Sequence, residues 1–366
     1  MADEHKNENS FDFCAEFEDM MHSRRLESVI ILAHRNPDGD AAGSALGLAH
    51  YIRDVYPQFQ VYPYLSEALD KGPKRVARAD KAFPQVFACP PWQGLRYAAI
   101  VCDTATKERI VGAEIYQNAQ ATLVIDHHLM NEAYGDRNYT VPRESCAENI
   151  FSILDWEKWE RAQGDSDPAG GLGQEGHPNA VDYLYLGMLH DTNCFQRVGQ
   201  GGTTFYAASK LMELGVDHKG LVKTMYVETF EDLKKRHAIL GRAKRVFDGK
   251  VAYVFLTKED CESNHFEYED IHPISGFLRD CDDIELAFTM FEEEPDLWRC
   301  SFRSDGEWIN TNELLNPFGG GGHKGASGLR KKSKEPGKLI DEILKRVAEM
   351  KCIDGPDSMF RKESLT

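Results

Sequence analysis

His34-Arg35-Asn36-Pro37-Asp38-Gly39-Asp40 places one histidine and two aspartates in a short loop at the end of an apolar run. Asp103 closes a second apolar run, Asp126-His127-His128 closes a third, and Asp191-Thr192 ends a helical pattern. Carboxylate oxygens with a few imidazoles and no thiolate are what hard or borderline divalent cations select. His34, Asp38, Asp40, Asp103, His127 and Asp191 are therefore the candidate metal ligands. Carboxylates outnumber imidazoles two to one among them, a mixture that suits manganese or magnesium better than a structural zinc site, with zinc or cobalt still able to bind. These ligands exceed the needs of one ion. A pair of metals about 3.5 to 4 Å apart, sharing a carboxylate and a water, is the economical arrangement, with Asp103 as the expected bridge. Such a pair activates the shared water for in-line attack and shields charge on a phosphoryl group. Asp126 is expected to orient His127, and His128 to face the substrate phosphate, so both are catalytic candidates. Taken singly, each of these residues is as well explained by a helix cap or a turn; their joint occurrence carries the metal reading.

The elements that must position them follow from the pattern. Residues 29–33 read as a buried strand, short, branched and bounded by turn signals, with His34 at its carboxyl end. Pro37 and Gly39 turn the chain, residues 41–53 have helical composition, and Asp40 suits the helix N-cap. Strands are expected at 61–65, 97–102 and 122–125, the last two also ending in ligands, as ligand sites of open α/β sheets require. An opening helix is expected at 11–21, while 66–94, with Pro73, Pro84, Pro90 and Pro91, reads as irregular. Ser145-Cys146-Ala147-Glu148 forms a capping box, and Val181, Leu184, Tyr185, Met188 and Leu189 define a helix that delivers Asp191. Between them, residues 162–179 are rich in Gly, Asp, Pro and Gln and are expected to form a mobile insertion.

Residues 203–214 and 218–246 read as helices separated by Gly215, after which strands are expected at 250–256, 284–291 and 297–302. The last two flank the acidic turn Glu292-Glu293-Glu294-Pro295-Asp296, and a closing amphipathic helix spans 338–350. The expected fold is thus α/β: a mostly parallel first domain (11–215), a helical linker (216–245), a smaller domain with a mixed or antiparallel sheet (246–350) and a frayed tail (351–366), with the active-site cleft between the domains.

A chain of 366 residues is long enough for two cores, and 42% apolar with 28% charged residues is an ordinary globular composition. A formal charge of -17 excludes a protein that coats nucleic acid non-specifically, although a local basic pocket can still take a short nucleotide. Nine scattered cysteines without a C-x-x-C pair point to reduced thiols. With no apolar run near the roughly 18 residues that span a bilayer and no signal-peptide pattern, a cytoplasmic protein with no membrane partner is expected.

Phe318-Gly319-Gly320-Gly321-Gly322-His323-Lys324-Gly325 lets backbone N–H groups approach an anion, while Arg303 can grip a phosphate through two parallel bonds and His323 can stack on a base. A plain turn is the competing reading. Taken together, His34-x-x-x-Asp38-x-Asp40, Asp103-Thr104, Asp126-His127-His128 and Gly187-x-x-x-Asp191-Thr192 resemble the DHH phosphoesterase superfamily in their order along the chain. Phe302-Arg303-Ser304, Ile309-Asn310 and the glycine loop resemble its DHH-associated domain. The resemblance implies that His34, Asp38 and Asp103 hold a first manganese ion and Asp40, Asp103, His127 and Asp191 a second. Arg303, Ser304, Asn310, Gly320, Gly321, Gly322 and His323 would then hold the substrate. Within the superfamily the compact form is similar to the nano-RNase and pAp phosphatase type, which implies hydrolysis of very short RNA and of 3'-phosphoadenosine 5'-phosphate, with no stable large nucleic-acid complex. A soluble cyclic di-AMP or pApA phosphodiesterase is the alternative. A pyrophosphatase, an exopolyphosphatase or a non-catalytic nucleotide-binding regulator fits less well, because the glycine loop suits a base and no ligand is missing. Oligomeric state stays open, a homodimer included.

Overall fold

The computed structural model describes residues 11–128, 133–163 and 178–352. The chain divides into two compact units, one ending at Val227 and the other starting at Glu228. In the first the order is α1 (Phe13–Ser23), β1 (Ser28–Leu32), α2 (Gly39–Val55), β2 (Gln60–Tyr64), α3 (Lys71–Ala79), β3 (Tyr97–Cys102), α4 (Ala113–Asn118), β4 (Ala121–Asp126) and β5 (Arg137–Thr140). Then come α5 (Cys146–Ile153), α6 (Trp156–Gln163), α7 (Ala180–Asp191), α8 (Thr203–Glu213) and α9 (His218–Tyr226).

The five strands form a parallel sheet in the order β2-β1-β3-β4-β5. β1 and β3 are buried along their whole length, as parallel strands covered on both faces must be, which is why they read as unbroken apolar runs. Pairing of Leu32 with Val101 and of Cys102 with Ile125 brings the carboxyl ends of β1, β3 and β4 level. The direction of strand order reverses between β1 and β3, which opens a crevice at those ends.

Helices α2 and α7 meet closely enough that a Cβ on Gly43 would lie 2.4 Å from the Tyr183 carbonyl oxygen, and one on Gly187 2.8 Å from Asp40 Oδ1. Glycine at both places lets the start of α2 and the end of α7 converge. Two local expectations change. Asp38, not Asp40, is the N-cap of α2: its Oδ1 accepts from the N–H groups of Asp40 at 3.0 Å and Ala41 at 3.1 Å, because the helix starts earlier than its alanine run. Ser145 caps α5 by accepting from the Glu148 N–H, but the Glu148 carboxylate does not complete the box, since it accepts from Thr204 Oγ1 at 2.6 Å. β5 has a polar sequence that gave no strand signal, and α3 lies within the proline-rich stretch read as irregular. Most of the 162–179 insertion and of the tail, residues 164–177 and 353–366, lies outside the described residues.

The second unit contains α10 (Phe230–Leu240), β6 (Lys244–Val246), β7 (Val251–Leu256), α11 (Lys258–Asn264), α12 (Tyr268–Ile271), α13 (Ile274–Arg279), β8 (Leu286–Glu294) and β9 (Leu297–Ser304). It ends with α14 (Thr311–Leu315), β10 (Gly321–Gly322), β11 (Ala326–Lys332) and α15 (Pro336–Lys351). Its sheet runs β10-β11-β9-β8-β7-β6 and is mixed, since β7 and β8 are parallel and the other pairs antiparallel. One core joins Phe288, Phe302 and Trp298 to Ile343, Leu344 and Val347 of α15, and a second joins Val254 and Ala287 to Ile274. The single helix expected over 218–246 is three elements: α9 stops at Tyr226, Thr229 and Asp232 form a reciprocal capping box that restarts the chain as α10, and β6 follows. That restart falls at the boundary between the units.

Candidate metal centre

The six expected ligands converge at the carboxyl ends of β1, β3 and β4 and the facing ends of α2 and α7. His34 follows β1 and Asp103 follows β3, adjacent strands on either side of the reversal. Asp103 takes a left-handed backbone, φ 49°, which costs a non-glycine residue about 1 kcal/mol or more. This conformation goes with a carboxylate whose two oxygens serve two neighbours. Oδ2 lies 3.5 Å from His34 Nε2, and Oδ1 lies 3.4 Å from His127 Nε2. His127 Nε2 is also 3.6 Å from Asp191 Oδ2 and 3.9 Å from Asp40 Oδ2. Metal bonds of about 2.1 Å set neighbouring ligands roughly 3.0 to 3.4 Å apart, so these atoms stand slightly wider than a coordination shell. Donor atoms of His34, Asp38 and Asp103 come within 4.8 Å of one another, as do those of Asp40, His127 and Asp191. Two such groups, joined by the two oxygens of Asp103, fit a pair of cations.

Buried polar atoms fit the same use. His34 Nδ1 and Asp103 Oδ1 are enclosed and have no hydrogen-bond partner among the described residues. Asp40 is fully buried and is held by the N–H groups of Cys146 at 2.6 Å and Ala147 at 3.0 Å, at the amino end of α5, where a carboxylate is favoured. Burial and the nearby Asp191 and Asp103 push its carboxyl well above the usual carboxylate range. Burial would do the same to Asp103, but the neighbouring His127 and His34 hold it well below that range. Burial would lower His127, yet Asp103, Asp40 and Asp191 raise it to about 11. A proton on the His127 ring therefore offsets part of the clustered negative charge, and a cation entering the site would displace it. Beneath the site the thiols of Cys102 and Cys146 are pushed up by burial and neighbouring carboxylates, which keeps them protonated and out of the ligand set.

The Asp-His-His segment differs from the expectation. His127 Nδ1 lies 3.1 Å from the Arg143 carbonyl oxygen, so the backbone fixes its ring and leaves Nε2 for the cluster. Asp126, fully buried, lies 2.7 Å from His128 Nδ1 and so orients His128 rather than His127. Alternation along the chain explains this, because residues two apart after a strand share a side whereas direct neighbours do not. His128 Nδ1 is also 3.6 Å from Asp103 Oδ1. His190 and Asp70, absent from the sequence reading, also belong here: His190 Nδ1 lies 3.6 Å from Asp191 Oδ1, and its Nε2 3.5 Å from Asp70 Oδ2. The available signal for His190 was its position directly before a ligand.

The substrate-contact candidates lie in the second unit, at one end of its sheet. Arg303 pairs with Ala326 across β9 and β11, and its Nη1 donates to the Phe302 carbonyl at 2.9 Å. Ser304 Oγ donates to the Ile309 carbonyl, and Asn310 caps α14 through the N–H groups of Asn312 and Glu313. Gly321 and Gly322 form a short strand opposite Gly328 and Ser327, and the His323 N–H donates to the Ala326 carbonyl at 2.7 Å. A Cβ on Gly322, at φ 152°, would lie 2.4 Å from that same carbonyl. The loop is thus an ordered hairpin, and the turn half of its sequence reading is met by backbone geometry.

A parallel sheet that gathers imidazoles and carboxylates at its strand ends defines an α/β protein whose clustered side chains could hold metal. Residues 28–188 match the DHH family, N-terminal domain, so the first unit carries a DHH family domain. It is 26% identical over 305 residues to the bifunctional oligoribonuclease and PAP phosphatase NrnA of Bacillus subtilis, covering 82% of this chain and 88% of that one. It is 24% identical to the cyclic-di-AMP phosphodiesterase PdeA of Listeria monocytogenes over 81% of this chain but only 44% of that protein. An exopolyphosphatase-related protein from Bacteroides fragilis shares the fold with a TM-score of 0.78, at 21% identity, over 92% of this chain and 96% of its own.

Proposed function

We propose that this DHH-family phosphoesterase hydrolyses short RNA oligonucleotides to mononucleotides and 3'-phosphoadenosine 5'-phosphate to AMP, with a pair of manganese ions as cofactor. The observation that carries this reading is the split use of Asp103, one oxygen facing His34 and the other His127. His34, Asp38 and Asp103 would hold one ion, and Asp40, Asp103, His127 and Asp191 the other. When bound, such ions supply an activated water and shield phosphoryl charge. The protein's own residues do the rest. Buried Asp126 fixes the His128 imidazole through Nδ1, and this ring is assigned to meet the phosphate or to pass a proton to the leaving oxygen. Arg303, Ser304, Asn310, His323 and the backbone of Gly320, Gly321 and Gly322 are assigned to nucleotide contact in the second unit. Similarity to a named oligoribonuclease and PAP phosphatase over most of both chains favours short nucleotides over pyrophosphate.

A cyclic di-AMP or pApA phosphodiesterase is the second reading, favoured by the PdeA relative. Nine free thiols fit a reducing cytoplasm as the place of action, and no helix among the described residues is long and apolar enough to cross a membrane. Partners are then small nucleotides and short single-stranded RNA, with a homodimer compatible. Purified protein should be offered pAp, pApA, RNA of a few nucleotides and cyclic di-AMP, with manganese and with chelator. Chelator-sensitive conversion of pAp and short RNA is expected; conversion of the cyclic compound alone would move the chain to the second reading, and conversion of none would end both.

A further inference from the structure

His190 brings the cluster an imidazole beyond the six ligands already described. Donor atoms of Asp38, His190 and Asp191 lie within 4.8 Å of one another, a group distinct from the two joined by Asp103. Its Nδ1, 3.6 Å from Asp191 Oδ1, is enclosed and makes no hydrogen bond among the described residues. Its other nitrogen faces a carboxylate, with Nε2 3.5 Å from Asp70 Oδ2. Asp70 stands at the N-cap position of α3 and makes no side-chain cap bond there, so its carboxylate is turned to the histidine instead of the helix. The ring lies against Gly39, where a Cβ would come within 2.4 Å of His190 Cγ. Glycine at that point of the acidic loop therefore makes room for this imidazole.

An imidazole that ligates a metal offers one nitrogen to the ion and commonly donates the other N–H to a carboxylate, which fixes tautomer and ring orientation. His190 has that layout: an unfilled Nδ1 facing Asp191, Asp38 in the same group, and a carboxylate behind Nε2. We propose that His190 is a metal ligand, forming with Asp38 and Asp191 a third cation position that shares one carboxylate with each of the two paired groups, and that Asp70 fixes its ring. The third ion binds more weakly than the pair, because two of its three ligands are already shared. Only the metal part of the proposed function underlies this assignment; the identity of the substrate does not enter.

The test uses the full chain, stripped with chelator and titrated with manganese by equilibrium dialysis with metal analysis, alongside melting curves with and without manganese. Wild type is expected to take up two ions tightly and a third more weakly. His190→Gln should keep the pair and lose at least tenfold in affinity for the third, and Asp70→Asn should lose about tenfold. A purely structural histidine would lower the melting temperature equally with and without metal, whereas a ligand lowers only the manganese-induced rise. Wild type saturating at two ions, or His190→Gln giving the same isotherm and the same rise, would overturn the assignment while leaving a two-metal phosphoesterase standing. A wild type that binds no manganese would end both.

Discussion

The candidate metal centre of the first unit and the glycine hairpin of the second are built on opposite principles. In the first unit, charged side chains are buried together, and each is fixed from behind: Asp40 by the amino end of α5, His127 by a backbone carbonyl, His128 by Asp126. In the second, glycine backbone lies exposed at a sheet end, and polar side chains such as Ser304 and Asn310 spend their bonds on turns and caps. Preorganised buried charge suits chemistry, and a thinly clothed backbone suits contact with a ligand. The two regions should therefore fail differently when altered: the first in turnover, the second in affinity.

The sharpest way to break that contrast is Asp103→Asn. Asparagine tolerates the left-handed backbone of Asp103 and keeps the volume, so the fold should survive. Loss of the one carboxylate shared by both groups should lower kcat by about a thousandfold or more and weaken manganese uptake. Steady-state kinetics with an unchanged far-ultraviolet spectrum checks this, and near-normal turnover would remove the shared-carboxylate assignment. Asp126→Asn should act less severely, since His128 remains but loses its orienting charge; a fall of about 10- to 100-fold in kcat with little change in KM is expected.

Gly187→Ala sharpens the contrast from the packing side. The added methyl group would meet Ala147 Cβ at 2.6 Å and Asp40 Oδ1 at 2.8 Å, so α7 must move away or Asp40 must turn. Destabilisation of about 1 to 3 kcal/mol is expected, together with reduced manganese affinity, measurable by denaturant unfolding and metal titration. In the second unit, Arg303→Lys loses paired hydrogen bonding while keeping charge. About a tenfold rise in KM for short RNA with kcat held within a few-fold is expected. A collapse of kcat instead would show that the second unit takes part in chemistry.

How much of this was legible in the sequence follows the same division. Buried parallel strands are written as apolar runs, so β1, β3 and β4 and the candidate ligands at their ends could be located directly. The edge strand β5, with its polar Arg-Asn-Tyr-Thr, carries no such signal. His190 escaped for another reason: a histidine in the last turn of a helix is ordinarily read as a macrodipole partner, and only the approach of Asp38 and Asp70 from elements remote in sequence gives it a second use. The pairing of Asp126 with His128 rather than His127 depended on side-chain direction after the strand, which spacing alone leaves undetermined. In the second unit the glycine loop could be located but not classified, because the same residues serve a tight hairpin and an anion cradle.

The smallest expected effect lies away from both regions, at Asp182 in the first turn of α7. Its Oδ2 accepts from the Asn179 N–H at 3.2 Å, while Oδ1 is buried with no hydrogen-bond partner among the described residues. Burial pushes its carboxyl up from 3.8 to about 7. The folded protein therefore keeps a proton there between about pH 4 and 7, a range in which the unfolded chain has already released it. With more protons bound to the native state, stability falls as pH rises through this window and then levels off. Asp182→Asn removes the ionisation and keeps an acceptor for Asn179. Relative to wild type, the variant should gain on the order of 1 kcal/mol between pH 5 and 8, about 5 °C or less in melting temperature, with manganese uptake unaltered. Equal differences at the two pH values would show that Asp182 ionises freely in the fold, and that α7 delivers Asp191 to the metal centre without a buried proton at its start.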